Sequence, residues 1–153
     1  MAVQAQTGSA YVLGPGGGTE MSWFEDVVTL KASTSAVGVF EAAIRPGAEP
    51  PLHVHNREDE WLYVLDGQAT VHAGGDSQTA LAGAFAFLPR GVPHTFTVES
   101  PIARLLFVNA PGGFERMFER GPTTPEEAVA ALAEYGVEVV GPHPREAAAS
   151  PQD

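Results

Sequence analysis

The chain has no cysteine among its 153 residues. That excludes disulfide staples, thiolate metal ligands and a cysteine nucleophile. Positive charge is scarce as well, with eight Lys and Arg against 19 Asp and Glu and a formal net charge of −11. So acidic a chain is repelled by phosphate backbones and anionic lipid, which argues against a nucleic-acid or membrane partner. No apolar run approaches the length needed to cross a bilayer. Met1 to Ala10 lack the basic stretch and apolar core of a signal peptide. A soluble, cytoplasmic protein is the expectation from these absences.

What the sequence does contain is short apolar runs punctuated by 17 glycines and 13 prolines. A chain of this length buries one sizeable core but not two, and such punctuation fits an all-β barrel better than a helical bundle. Residues 1–20 read as an N-terminal arm ending in Gly14-Pro15-Gly16-Gly17-Gly18. No Lys-Ser/Thr follows that loop and no βαβ pattern surrounds it, so it reads as a linker or pocket rim and not as a phosphate cradle. Over 21–110, strands are expected at 27–31, 37–44, 53–55, 61–65, 68–73, 78–81, 85–88, 94–98 and 103–109. This rhythm predicts a sandwich or jelly roll. Asp66-Gly67 is a strong turn signal, expected to send the chain back as a hairpin.

After Pro111 the periodicity changes. Residues 114–120 suit a short helix, and Thr124-Pro125-Glu126-Glu127 is a capping box with proline at the first helical position. A helix over 125–135 follows, with Gly136 placed to end it. Val129, Leu132 and Ala133 form the stripe expected to dock on the barrel, so that 111–141 becomes a helical segment packed against it. From Pro142 the chain is polar and alanine-rich, which predicts a flexible tail over 142–153.

Candidate chemistry is concentrated in a few residues. Side chains two apart in a strand share a face, so His53 and His55 can aim two imidazoles at one point. Glu60 opens an alternating run and shares its face with Leu62 and Val64, while His94 follows the stiff loop Pro89-Arg90-Gly91-Val92-Pro93. Three neutral imidazoles and a carboxylate suit one divalent transition metal, namely iron, nickel, manganese, copper, cobalt or zinc. Calcium prefers an all-oxygen shell. A single histidine on a sheet is ordinarily a surface or core residue. Four such donors in register with glycines are a metal site. His72 shares a face with Gln68 and Thr70 and is expected to meet solvent, and His143 lies between prolines in the tail. Neither is placed in the site.

The spacing of these residues resembles the paired motifs of the cupin superfamily. The first motif runs Gly47, His53, His55, Glu60, Gly67 and the second Gly83, Pro89, Gly91, His94. The second departs from the pattern at its last position, where many cupins carry Asn and this chain has Val98. Glu58 shares strand parity with Glu60, and Asp59 is adjacent. The six-residue gap to Gly67 selects Glu60. The ending Pro111-Gly112-Gly113-Phe114-Glu115, with its helix closing over Tyr135-Gly136-Val137-Glu138-Val139, is similar to the tail of small single-domain cupins resembling quercetin dioxygenases.

The resemblance implies a cupin double-stranded β-helix, a jelly-roll barrel with a short C-terminal helical segment, assembled as a homodimer. It implies His53, His55, Glu60 and His94 as metal ligands, with Glu60 also the catalytic base, in a dioxygenase using dioxygen and an aromatic or enolisable small-molecule substrate. Leu62, Val64, Phe96 and Val98 point inward by parity and are expected either to line the substrate pocket or to fill the core. Two other readings keep the residues but change the chemistry: a non-redox isomerase, lyase or polyketide-type cyclase, and a non-catalytic small-molecule-binding cupin.

Overall fold

Alternating burial along short segments produces eleven strands in the computed structural model, which describes residues 8–149. They are β1 (Thr19–Trp23), β2 (Asp26–Ser33), β3 (Gly38–Ile44), β4 (Leu52–His55), β5 (Asp59–Asp66), β6 (Gln68–Ala73), β7 (Asp76–Leu81), β8 (Phe85–Leu88), β9 (His94–Val98), β10 (Ala103–Ala110) and β11 (Val137–Gly141). A 3-10 helix (Phe114–Arg120), α1 (Pro125–Glu134) and α2 (Pro144–Ala149) complete the described chain. One sheet has the order β1-β2-β3-β10-β5-β8 and the other β11-β4-β9-β6-β7. The chain crosses repeatedly between them, giving the all-β double-stranded β-helix that the resemblance implies, a fold within the sandwich or jelly-roll class expected from the strand rhythm. Phe40, Leu62, Leu105 and Phe107 from one sheet meet Val71, Phe96 and Val98 from the other in a continuous apolar core.

Gly47, Gly67, Gly83 and Gly91, the glycines framing the motifs, all have positive φ, where a Cβ is strained. The Asp66-Gly67 turn forms, but not as a ladder hairpin. β5 already has β10 and β8 on its two edges, so β6 passes to the facing sheet and pairs with β7 and β9. The tight hairpin lies one turn later, where Gly74-Gly75 joins β6 to β7 with Ala73 opposite Asp76.

Two strands escape the sequence reading. β1 lies partly in the expected arm and pairs with β2 from Thr19↔Leu30 to Trp23↔Asp26. β11 follows α1 and pairs with β4, placing Val139 opposite His53. α1 is capped as expected: the Thr124 hydroxyl accepts from the Glu127 amide, and Glu127 reaches back to the Thr124 amide. Its buried face is Ala128, Ala131 and Leu132, whereas Val129 is exposed. Alanines at this spacing let the helix backbone approach the barrel closely, turning Val129 and Ala133 away from it.

Glu115 clamps the 3-10 helix to the barrel. Fully buried, it accepts from Ser33 Oγ at 2.6 Å and from the Gly113 amide at 2.8 Å. Its carboxylate lies over Gly38 and leaves no room there for a Cβ.

Of the segment read from composition as a flexible tail, residues 142–149 lie against the barrel, and 150–153 fall outside the described residues. β4 contributes only the pair His53↔His94 to its neighbour β9. Beyond that pair the β9 edge has no strand beside it among the described residues, and buried backbone groups need partners. Side chains supply them. His143 Nε2 donates to Phe96 O at 2.9 Å, Arg145 Nη2 to Val98 O at 2.6 Å, and Glu49 Oε1 accepts from the Val98 amide at 2.9 Å. His143 is consequently buried. His72 does lie outside the barrel, but half-buried and tied to Ser77 Oγ and Thr97 Oγ1. Replacing His143 by Ala should leave the Phe96 carbonyl unpaired and lower the unfolding free energy by ~1–3 kcal/mol. A urea titration checks it, and an unchanged midpoint would show that the histidine does not hold this edge.

Candidate metal centre

His53 and His94 face each other because they are the paired residues of β4 and β9. His55, two residues along β4, projects to the same side. Glu60 arrives from β5 in the opposite sheet. The ring centroids of the three histidines lie 4.5 to 5.2 Å apart, and one nitrogen from each falls within 4.8 Å of the others. Glu60 Oε1 lies 3.4 Å from His94 Nε2 and Oε2 lies 3.6 Å from His55 Nε2. All four side chains are buried.

The tautomers follow from the partners. His53 Nδ1 lies 2.7 Å from Pro51 O and His94 Nδ1 lies 3.0 Å from Val92 O. His55 Nδ1 lies 2.5 Å from Glu58 Oε1. Carbonyls and carboxylates only accept, so each Nδ1 carries the proton and donates, leaving Nε2 as the free donor site in the neutral ring. His55 Nε2 and His94 Nε2 are buried with no hydrogen-bond partner among the described residues. Leaving such an atom unpaired costs ~1–3 kcal/mol. A cation bound by the three histidines would satisfy them, with Glu60 in reach as a fourth donor.

Charge is distributed to match. Burial, with the charges of His94 and His55, depresses His53 to about 3, so its ring is neutral. Burial also works against a proton on His55, but Glu60 and Glu58 outweigh it and raise this group above its usual 6.5. Burial alone would raise the Glu60 carboxyl. The charges of His55 and His94 and the hydrogen bond from Asn109 outweigh that and hold it at about 2. Glu60 is therefore ionised beside an imidazole that holds its proton more tightly than a free ring does.

Two contributors were not identified from sequence. Glu58 is not a competing ligand but the acceptor that fixes the His55 ring, the arrangement that orients metal-binding histidines in general. Asn109, opposite Glu60 in the β5–β10 register, donates Nδ2–H to Glu60 Oε2 at 2.9 Å. An acidic residue three after a histidine is a usable signal for Glu58. Nothing local marks Asn109, which reaches Glu60 only through strand pairing. Beside the cluster lies a cavity of about 60 Å³ walled by phenylalanines, among them Phe40, Phe96 and Phe107. Of the four inward residues expected to line a pocket, only Phe96 does so. Leu62, Val64 and Val98 are closed into the packed core.

Residues 40–109 match the family described as the Cupin domain. Over 112 residues the chain is 29% identical to the quercetin 2,3-dioxygenase of Bacillus subtilis (strain 168), covering 71% of this chain and 33% of that protein. It is 32% identical over 71 residues to the quercetin 2,3-dioxygenase of Aspergillus japonicus, covering 43% and 20%. The chain thus spans a third or less of these relatives. An RmlC-like cupin from Shewanella frigidimarina NCIMB 400 superposes with a TM-score of 0.61 at 19% identity, over 68% of this chain and 93% of that one. That likeness concerns the fold.

His53→Ala and His94→Ala should each lose copurifying divalent metal, read by elemental analysis. Undiminished metal in both would remove the site. Glu58→Ala should weaken metal affinity by ~10–100-fold while leaving the donors in place. Because His55 is raised and its proton must leave, affinity should climb with pH and level off only above 6.5. Competition with a chromophoric chelator between pH 5 and pH 8 checks the direction.

Proposed function

Since the chain belongs to the cupin superfamily, we propose that it is a metal-dependent dioxygenase acting on a flavonol-like or other aromatic or enolisable hydroxyl compound. The observation that carries this reading is an ionised, buried carboxylate set against two unpartnered imidazole nitrogens at the edge of an apolar cavity. The two curated relatives, both quercetin 2,3-dioxygenases, support the choice of chemistry. His53, His55 and His94 would hold the divalent ion with Glu60, and the ion would supply Lewis acidity toward substrate oxygen and redox access to dioxygen.

The protein's own part is proton transfer, orientation and exclusion of water. Glu60 takes the hydroxyl proton of the substrate, since its carboxylate is ionised and lies beside the donors. Asn109 holds Oε2, leaving Oε1 turned toward His94. Glu58 keeps His55 in one ring orientation. The phenylalanine walls exclude water from the reacting atoms and offer no cation for a sugar phosphate. A homodimer is part of this reading. It is supported by an exposed aromatic face on the edge strand β8, where Phe87 stacks on Trp61 at 5.4 Å beside the exposed Phe85. Sedimentation of monomer alone would remove that part.

Glu60→Gln keeps the shape and abolishes the base. It should retain metal and bind a flavonol, yet consume oxygen ~10²–10⁴ times more slowly. An oxygen electrode with a flavonol and catechol panel measures this. Full activity in the variant would show that Glu60 is not the base. If no panel compound drives oxygen uptake in the unmodified protein, while a non-redox conversion still depends on Glu60, the isomerase or cyclase reading replaces this one.

A further inference from the structure

The cavity at the histidines is too small for the substrates that its chemistry suits. About 60 Å³ is the volume of roughly two water molecules in the liquid, whereas pockets that enclose an organic ligand run to ~300 Å³ or more. Next to it lies a much larger surface groove of about 950 Å³, between α1, the β1–β2 turn and the β3–β4 loop. Trp23 and Leu132 line both spaces, so a wall one side chain thick divides them. Each is buried by its neighbours. The Trp23 indole donates to Ala48 O at 2.9 Å and meets Phe118 of the inner cavity edge-on.

A second cleft, of about 350 Å³, also adjoins the cavity, but through Phe114 alone. Phe114 packs against the His55 ring at 4.7 Å, and Glu58 and two arginines line that cleft. Entry there would displace the groups that fix His55. The groove beside Trp23 touches the histidines' supports only through Pro51, whose carbonyl accepts from His53 Nδ1, and its floor is apolar, with Ala48, Pro51, Ala128 and Leu132. Its charged lining is mostly acidic: Glu25, Asp26, Glu49 and Glu146 against Arg45. Asp26 holds that arginine at 2.8 Å. A phosphorylated or carboxylated ligand would meet net repulsion.

We propose that this groove is the subsite for the uncharged aromatic body of the substrate, and that Trp23 and Leu132 form the wall through which its reacting hydroxyl reaches the histidines. The proposal rests on the histidine cluster being the reaction centre. It adds the size and charge class of the substrate and the side from which it enters.

The test uses the full-length protein, metal-free or zinc-loaded, with 1-naphthol as a neutral aromatic probe and 1-naphthyl phosphate as its anionic counterpart. The chain has two tryptophans, Trp23 and Trp61, and Trp61 lies on the other sheet face against Phe87. Their indole N–H signals therefore report two separate surfaces in a nitrogen–proton correlation spectrum. We expect 1-naphthol to shift the Trp23 signal saturably, with nuclear Overhauser contacts to Trp23 and Leu132, and to leave Trp61 unmoved. Val129 is exposed on α1 and lines the groove but not the inner cavity. Val129→Arg should weaken the probe roughly fivefold without disturbing the fold. The phosphate should bind about tenfold more weakly than the naphthol. An unmoved Trp23 signal, shifts centred on Trp61 or on residues 111–116, equal affinity for the phosphate, or indifference to Val129→Arg would each overturn the proposal. None of these readouts involves metal content or oxygen uptake, so failure of the dioxygenase reading is seen separately.

Discussion

The single cross-strand pair His53↔His94 is the constraint on which the rest depends. β4 is four residues long and meets β9 at that pair alone. The pairing brings two imidazoles together at one level of the barrel, and alternation along β4 brings His55 in as the third. The same shortness leaves the remainder of the β9 edge without a strand. Glu49, His143 and Arg145 then cover Phe96 and Val98, and the C-terminal segment is drawn onto the barrel to do it. The geometry of the donors and the docking of the chain's last described helix thus have one cause.

Burying four titratable groups in an apolar barrel is unfavourable unless each is paired. Here the pairing is nearly complete. Every Nδ1 has a carbonyl or carboxylate, and Glu60 has the Asn109 amide. What remains unpaired is concentrated at His55 Nε2, His94 Nε2 and the Asn109 carbonyl oxygen. A folding requirement alone would not leave two imidazole nitrogens facing the same buried carboxylate. A ligand requirement would.

Much of this was legible in the sequence because it is local. Alternation located nine of the eleven strands, and the spacing of His53, His55, Glu60 and His94 foretold that they would meet. The capping box at Thr124 marked the start of α1. What was not legible is relational. Asn109 reaches Glu60 through strand register, Glu58 is set by the turn after His55, and His143 is buried only because an edge 47 residues earlier lacks a neighbour. Parity correctly turned Leu62, Val64 and Val98 inward, but inward is not the same as exposed to a cavity. All three are packed into the buried apolar cluster and none lines the cavity at the donors.

That packing separates two tasks within one small barrel. Near the histidines the free space is narrow, so the cavity selects for a small reacting group. Recognition of anything larger must occur outside it, where the groove beside Trp23 is apolar at its floor and acidic at its rim. The protein as a whole carries a net charge of −11, and neither space departs from that sign by presenting an unopposed cation. An anionic substrate would find no counter-charge on the way in except a metal ion at the end of the path. A neutral aromatic hydroxyl would meet no repulsion on that path and would become an anion only beside Glu60, where the buried donors converge. In this reading, size and charge both restrict ionisation of the substrate to the site where it is used.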